Sequence, residues 1–120
     1  MTEGRPGRRL AVTGAATAAL TALAVYGVFF VAPEDADQGI IQKIFYFHVA
    51  IAIGSLLAFA IACVYGIRYL RSRDQRHDEV SATSVGIGIG FAVLVVITGS
   101  IWAKASWGTW WVWTLSLIHI

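Results

Sequence analysis

Charge is what this sequence has least of. Asp, Glu, Lys and Arg make up 13% of its 120 residues, against roughly 25% in soluble domains. No charged residue occurs from Leu10 to Ala32, from Ile44 to Ile67 or from Val80 to Ile101. Each stretch exceeds the about 20 apolar residues with which a helix crosses a bilayer. A soluble chain this short could not wrap a core around three of them. The fold class read from this is all-α: an integral membrane helical bundle with three transmembrane helices, at about residues 10–32, 44–67 and 80–101. The first span is too long for the apolar region of a cleaved signal peptide, about 7–15 residues, so it reads as a retained anchor.

Cysteine is nearly absent as well. Cys63 stands alone, which excludes an internal disulfide, and without Cys-x-x-Cys-His the chain is not itself a c-type cytochrome. Cys63 reads as a small packing residue of the second span. No Ser-His-Asp set, pair of inward carboxylates, Walker loop or zinc spacing occurs, so nothing points to hydrolysis or phosphoryl transfer.

The few basic residues are distributed unevenly. Arg5, Arg8 and Arg9 precede the first span and Arg68, Arg71, Arg73 and Arg76 follow the second, while the other side carries only Lys43 and Lys104. By the positive-inside rule the N-terminus and the loop RYLRSRDQRHDE are cytoplasmic. Residues 33–43 and the tryptophan-rich segment 102–113 then face outward, into the periplasm of a Gram-negative cell. The basic balance is thus topological, and no nucleic-acid partner is expected. Membrane lipid is the partner of the spans, and anionic head groups suit the arginine loop, which reads as a solvated hinge. Pro33, three acids and Gly39 give the outer segment APEDADQGIIQK turn character.

Small residues recur every four positions in the second span, at Ala50, Gly54, Ala58, Ala62 and Gly66. Gly14, Ala18 and Ala22 repeat the spacing in the first span, and Gly86 and Gly90 in the third. Such ridges let helix backbones approach closely in lipid.

Two outward features could carry chemistry. His48 follows Phe45, Tyr46 and Phe47 near the outer end of the second span. It reads either as an interfacial polar group in an aromatic belt or as a ligand to haem iron, which neutral imidazole binds between apolar walls. The second feature is the tail, where all five tryptophans fall between Trp102 and Trp113. Belt tryptophans anchor helices at interfaces, but this density also suits a platform for a large planar ligand. On a helix Trp107, Trp110 and Trp111 would share a face; in an extended segment Trp111 and Trp113 would. Spacing alone leaves belt and platform open.

The stretch GSIWAKASWGTWWVW resembles the tryptophan-rich signature of haem-handling membrane proteins. FVAPEDADQGIIQKIFYFHVAIA is similar to the first outer loop and histidine segment of the haem exporter protein C family of cytochrome c maturation. The resemblance runs from about Phe30 to Trp113. It implies that residues 1–113 are the N-terminal half of a six-span protein of the bacterial inner membrane. That protein would bind haem b non-covalently and transiently on the periplasmic face and pass it to a periplasmic haem chaperone, beside ABC-transporter subunits. It would not be an enzyme. His48 would be an axial ligand of the haem iron, and Trp107, Gly108, Thr109, Trp110, Trp111 and Trp113 would form the haem platform. The alternatives are a related subunit on the haem-ligase side and a small structural membrane protein whose aromatics only set its depth.

The sequence departs from the family at two places. Ala50 stands where a proline usually follows the His-Val pair. After Trp113, where the family continues with an Asp-containing run, further spans and a second histidine ligand, this chain reads TLSLIHI. The bases CTG TCT CTT ATA CAC ATC translate to Leu-Ser-Leu-Ile-His-Ile and match the end of a transposon used to prepare sequencing libraries. Residues 114–120 are therefore expected to be a non-native, adapter-derived tail, and His119 is not taken as the second ligand.

Overall fold

A computed structural model describes residues 4–111 of the chain. Trp113 and the segment 114–120, including His119, lie outside the described residues. Among the described residues the regular elements are α1 (Gly4–Tyr26), a π-helical turn (Gly27–Val31), a 3₁₀ turn (Ile40–Gln42), α2 (Lys43–Ser72) and α3 (Gln75–Trp107). Three helical stretches, Gly7–Val31, Ile40–Ser72 and Gln75–Trp107, are long and apolar enough to cross a membrane. The all-α membrane reading holds, and this is a multi-pass membrane protein. At about 1.5 Å per residue α2 and α3 reach roughly 45 and 50 Å, beyond the about 30 Å hydrocarbon layer. Their polar ends project past it.

The chain divides into one unit ending at Glu34 and another beginning at Asp35. In the first, the helix begins before the uncharged stretch and includes Arg8 and Arg9. Its threonines are satisfied locally: Thr13 Oγ1 donates to the Arg9 carbonyl at 2.9 Å and Thr17 Oγ1 to that of Thr13 at 2.8 Å. Such back-bonding lets hydroxyls sit in an apolar helix. The helix ends in a wider π turn, where the Ala32 N–H donates to the Gly27 carbonyl at 2.8 Å, and Tyr26 stacks on Phe30 with ring centroids 5.1 Å apart.

The second unit is a helical hairpin preceded by a tight loop. Asp35 organises the loop: its Oδ1 accepts from the N–H groups of Asp37 and Gln38, both at 2.9 Å, and its carbonyl accepts from the Gly39 N–H. These two backbone bonds, Gln38 first, lower the Asp35 pKa below its ordinary value. Gly39 turns the chain at φ +58°, a conformation that suits a residue without Cβ.

The arginine-rich connection is much shorter than the solvated hinge expected from residues 68–79. Only Arg73 and Asp74 separate α2 from α3. Arg73 adopts the left-handed conformation, φ +56°, and donates its N–H to the Tyr69 carbonyl at 2.7 Å. Asp74 caps α3 by accepting the Arg76 N–H at 3.0 Å. Arg, Gln and Glu are good helix formers, so once Asp74 supplies the cap the remaining charged residues extend the two helices.

α2 and α3 run antiparallel and pack through small residues. Ser55, Ala58 and Ala62 of α2 and Ser84 and Gly88 of α3 are buried. Gly54 faces the Phe91 ring, Gly66 faces Ser81 and Gly88 faces the Phe59 ring. Ser55 Oγ donates to the Gly88 carbonyl at 3.0 Å and Ser81 Oγ to the Ala62 carbonyl at 2.9 Å. Interhelical hydrogen bonds in lipid contribute about 0.6 kcal/mol each on average. The α2 ridge is thus as expected from Gly54 to Gly66, whereas Ala50 is exposed. On α3 the expected pair Gly86 and Gly90 is not used; a Cβ on either would meet open space. Two residues on an α-helix are about 200° apart, so a helix that turns Ser84 and Gly88 toward α2 turns Gly86 and Gly90 away. Cys63 is exposed on α2 and does not serve as the packing residue expected of it. The buried apolar residues among those described are alanines, Ala58, Ala62 and Ala103. Large apolar side chains point outward, where hydrocarbon takes the place of a core.

Candidate functional site

His48 lies in the second turn of α2, directed at α3. Its Nδ1 is 2.8 Å from Thr98 Oγ1, and its ring lies against Gly99, where an added Cβ would come within 3.1 Å of Cε1. The imidazole is half-buried and not loose at the surface. Small-residue packing of the hairpin makes this approach possible, because the helix backbones are close enough for a short hydroxyl to reach the ring.

α3 continues past the apolar span to Trp107, so the first part of segment 102–113 is helical. Gly108 then ends the helix at φ +77°, its N–H donating to the Lys104 carbonyl at 3.0 Å. A glycine in the left-handed region is a common helix terminator. Lys104 reinforces the end: its Nζ donates to the Gly108 carbonyl at 2.8 Å and lies 6.0 Å from the Trp110 ring centroid.

This terminus changes the expected arrangement of the tryptophans. Trp107, Trp110 and Trp111 do not share a helix face, because the helix stops at Trp107. They nevertheless converge, since the chain turns back at Gly108. Trp107, Trp110 and Trp111, with Trp102, Ala103 and Gly99, line an apolar cavity of about 260 Å³. Trp102 and Trp107 meet edge to face with centroids 5.0 Å apart, a favoured aromatic geometry. Gly108 and Thr109 do not line the cavity; Gly108 makes the turn that places Trp110 and Trp111 there. Trp113 lies outside the described residues.

Of three further contributors, Thr98 and Gly99 were not singled out in the sequence, and Trp102 was named only as a member of the aromatic run. Trp102 is a wall of the cavity as well as a member of the aromatic run. Its Nε1–H donates to Gln38 Oε1 at 3.2 Å, tying the Asp35 loop to the end of α3. Thr98 and Gly99 are the others. Each is unremarkable in its own window, and only the hairpin register brings them to a histidine fifty positions earlier.

Gly99 connects the two features. One side of it meets the His48 ring, and it also lines the tryptophan cavity. His48 itself does not line the cavity; Gly99 lies between its ring and the tryptophans. Drug-sized ligand pockets span about 300–1,000 Å³, so this cavity, at about 260 Å³, is too small to enclose a ligand of that size. Among the described residues no three His, Cys, Asp or Glu side chains converge as a metal site. His48 is thus not part of such a cluster.

The family described as Heme exporter protein C (CcmC) matches residues 5–118. A putative cytochrome c biosynthesis ccmC-like mitochondrial protein of Marchantia polymorpha is 36% identical over 84% of this chain and 44% of its own length. Heme exporter protein C of Escherichia coli K12 is 36% identical over 86% of the chain and 42% of its own length. The protein of the same name from Paracoccus denitrificans is 33% identical, with 85% and 41% covered. The chain thus spans less than half the length of these relatives. No solved structure matches it significantly.

Proposed function

Since this chain belongs to the Heme exporter protein C family, we propose that it forms part of a protein that binds haem and delivers it during cytochrome c assembly. Haem is the cargo. His48 supplies one axial nitrogen to its iron, and the aromatic walls of Trp102, Trp107, Trp110 and Trp111 hold an edge of the porphyrin. The observation that supports this reading is Gly99, which meets the His48 ring and also lines the tryptophan cavity. Iron in a porphyrin already has four equatorial nitrogens, so a lone imidazole suffices on one face.

The site is on the periplasmic side of the bacterial inner membrane. In the hairpin Arg68, Arg71, Arg73 and Arg76 gather at the turn, while Lys43 and Lys104 lie at the other end with His48, Trp102, Trp107, Trp110 and Trp111. The positive-inside rule assigns the turn to the cytoplasm, and the N-terminus with it by the arginines at positions 5, 8 and 9. Haem held there non-covalently is handed to a periplasmic haem chaperone, and the protein works beside ABC-transporter subunits of the maturation system.

The test is haem occupancy. Full-length protein purified from haem-replete cells should carry a Soret band, and His48→Ala should lower haem affinity at least about tenfold. A Soret-silent wild-type protein, or His48→Ala with unaltered occupancy and cytochrome c maturation, would refute the reading.

A further inference from the structure

Thr98 makes more hydrogen bonds than its single proton allows it to donate. Its Oγ1 is 2.8 Å from the Leu94 carbonyl, 3.2 Å from the Val95 carbonyl and 2.8 Å from His48 Nδ1. Carbonyl oxygens only accept, so the hydroxyl hydrogen goes to the preceding turn of α3, the usual partner of a threonine within a helix. The oxygen then presents lone pairs to the imidazole. A neutral imidazole has one N–H and one bare nitrogen. With the proton on Nδ1, both the ring bond and the Leu94 bond form; with the proton on Nε2, one of them is lost.

We infer, on the ligand role given to His48 above, that Thr98 is a positioning residue: its backbone-tethered hydroxyl holds His48 as the Nδ1–H tautomer and leaves the Nε2 lone pair for iron. Gly99 completes the device. A side chain there would press on Cε1 from 3.1 Å and push the ring off the hydroxyl. Metal-bound histidines generally donate their other N–H to such an outer partner, whose loss costs about 10–100-fold in affinity. Here the partner is a neutral hydroxyl rather than a carboxylate, so it orients the ring without adding a negative charge inside the membrane.

The test separates the tautomer from haem. Full-length protein labelled with 15N-histidine is studied by NMR without haem, His48 being assigned by the signal missing in His48→Ala. Wild type and Thr98→Ser should show Nδ1–H, and Thr98→Val, which keeps the packing volume, should lose that preference. Ferric haem titration should then give Thr98→Val an affinity about tenfold weaker, with Thr98→Ser close to wild type. A wild-type ring protonated on Nε2, or a Thr98→Val protein that changes tautomer yet binds haem as wild type does, overturns the positioning role. If His48→Ala binds haem normally, the ligand assignment falls and the positioning role with it. The haem-free spectra then still report whether Thr98 sets the tautomer.

Discussion

Gly88→Ala should leave the pairing of α2 and α3 less stable than Gly86→Ala does. The two positions lie on the same helix two residues apart, so the gain in helix propensity, about 1 kcal/mol for Gly→Ala, is common to both. Their surroundings differ. A Cβ at Gly86 meets nothing, whereas at Gly88 it comes within 3.0 Å of Phe59 Cε1 and Cζ. Overpacking a tight contact costs about 1–3 kcal/mol. The Phe59 ring is 39% exposed and can swing partly outward, which places the cost in the lower part of that range. Gly88→Ala should therefore be about 1–2 kcal/mol less stable than Gly86→Ala, a factor of roughly 5–30 in the equilibrium constant. Donor and acceptor dyes at the free ends of the two helices, followed through an SDS titration of the 120-residue chain in bicelles, would read hairpin opening. Equal midpoints for the two variants, or a lower one for Gly86→Ala, would show that the interface is not the Ser84–Gly88 face. The register that brings Thr98 and Gly99 to His48 would then be wrong as well.

Asp74→Ala removes the side-chain cap of α3 and should cost about 1 kcal/mol, read as a lower midpoint in the same titration, while Asp74→Asn should retain most of the stability. Gly108→Ala forces a side chain into φ +77° at a cost of about 1 kcal/mol or more; Trp110 and Trp111 should leave the cavity, seen as a red shift in tryptophan emission. The Asp35 loop should be acid-sensitive. Hydrogen bonds to its carboxylate lower its pKa in the folded loop, so their stabilisation is present above the unfolded value and is lost as pH falls through the lower folded one. Protection of the Asp37 and Gln38 amides, taken as the exchange rate of an unstructured peptide at the same pH divided by theirs, should fall in that acid window, and in Asp35→Asn it should stay constant there.

Several parts of the site were legible in sequence because their signals are local. His48 stands out as the one histidine inside an uncharged stretch, and the tryptophan run is visible in a dozen residues. Gly108 was legible as part of that run but not in its role. Its backbone conformation ends α3, so a face shared by Trp107, Trp110 and Trp111 gave way to a turn that brings them round a cavity. Thr98 carried no local signal, and Gly99 was visible only as the first residue of the tryptophan-rich stretch, with nothing to mark its contact with His48. Hydroxyls and glycines are common in apolar helices, and nothing in the spacing distinguishes Gly99 from Gly86 or Gly90.

The sequence by itself determined what depends on composition along the chain. Three uncharged stretches require membrane helices, because backbone groups in hydrocarbon must pair within their own segment. Tertiary structure decided what depends on helix rotation and register. Each residue turns a helix by about 100°, so small-residue spacing can nominate several faces, and only packing selects one. That selection put Gly88 rather than Gly86 or Gly90 against α2. It also placed a threonine and a glycine of α3 against His48, with the same glycine forming a wall of the tryptophan cavity.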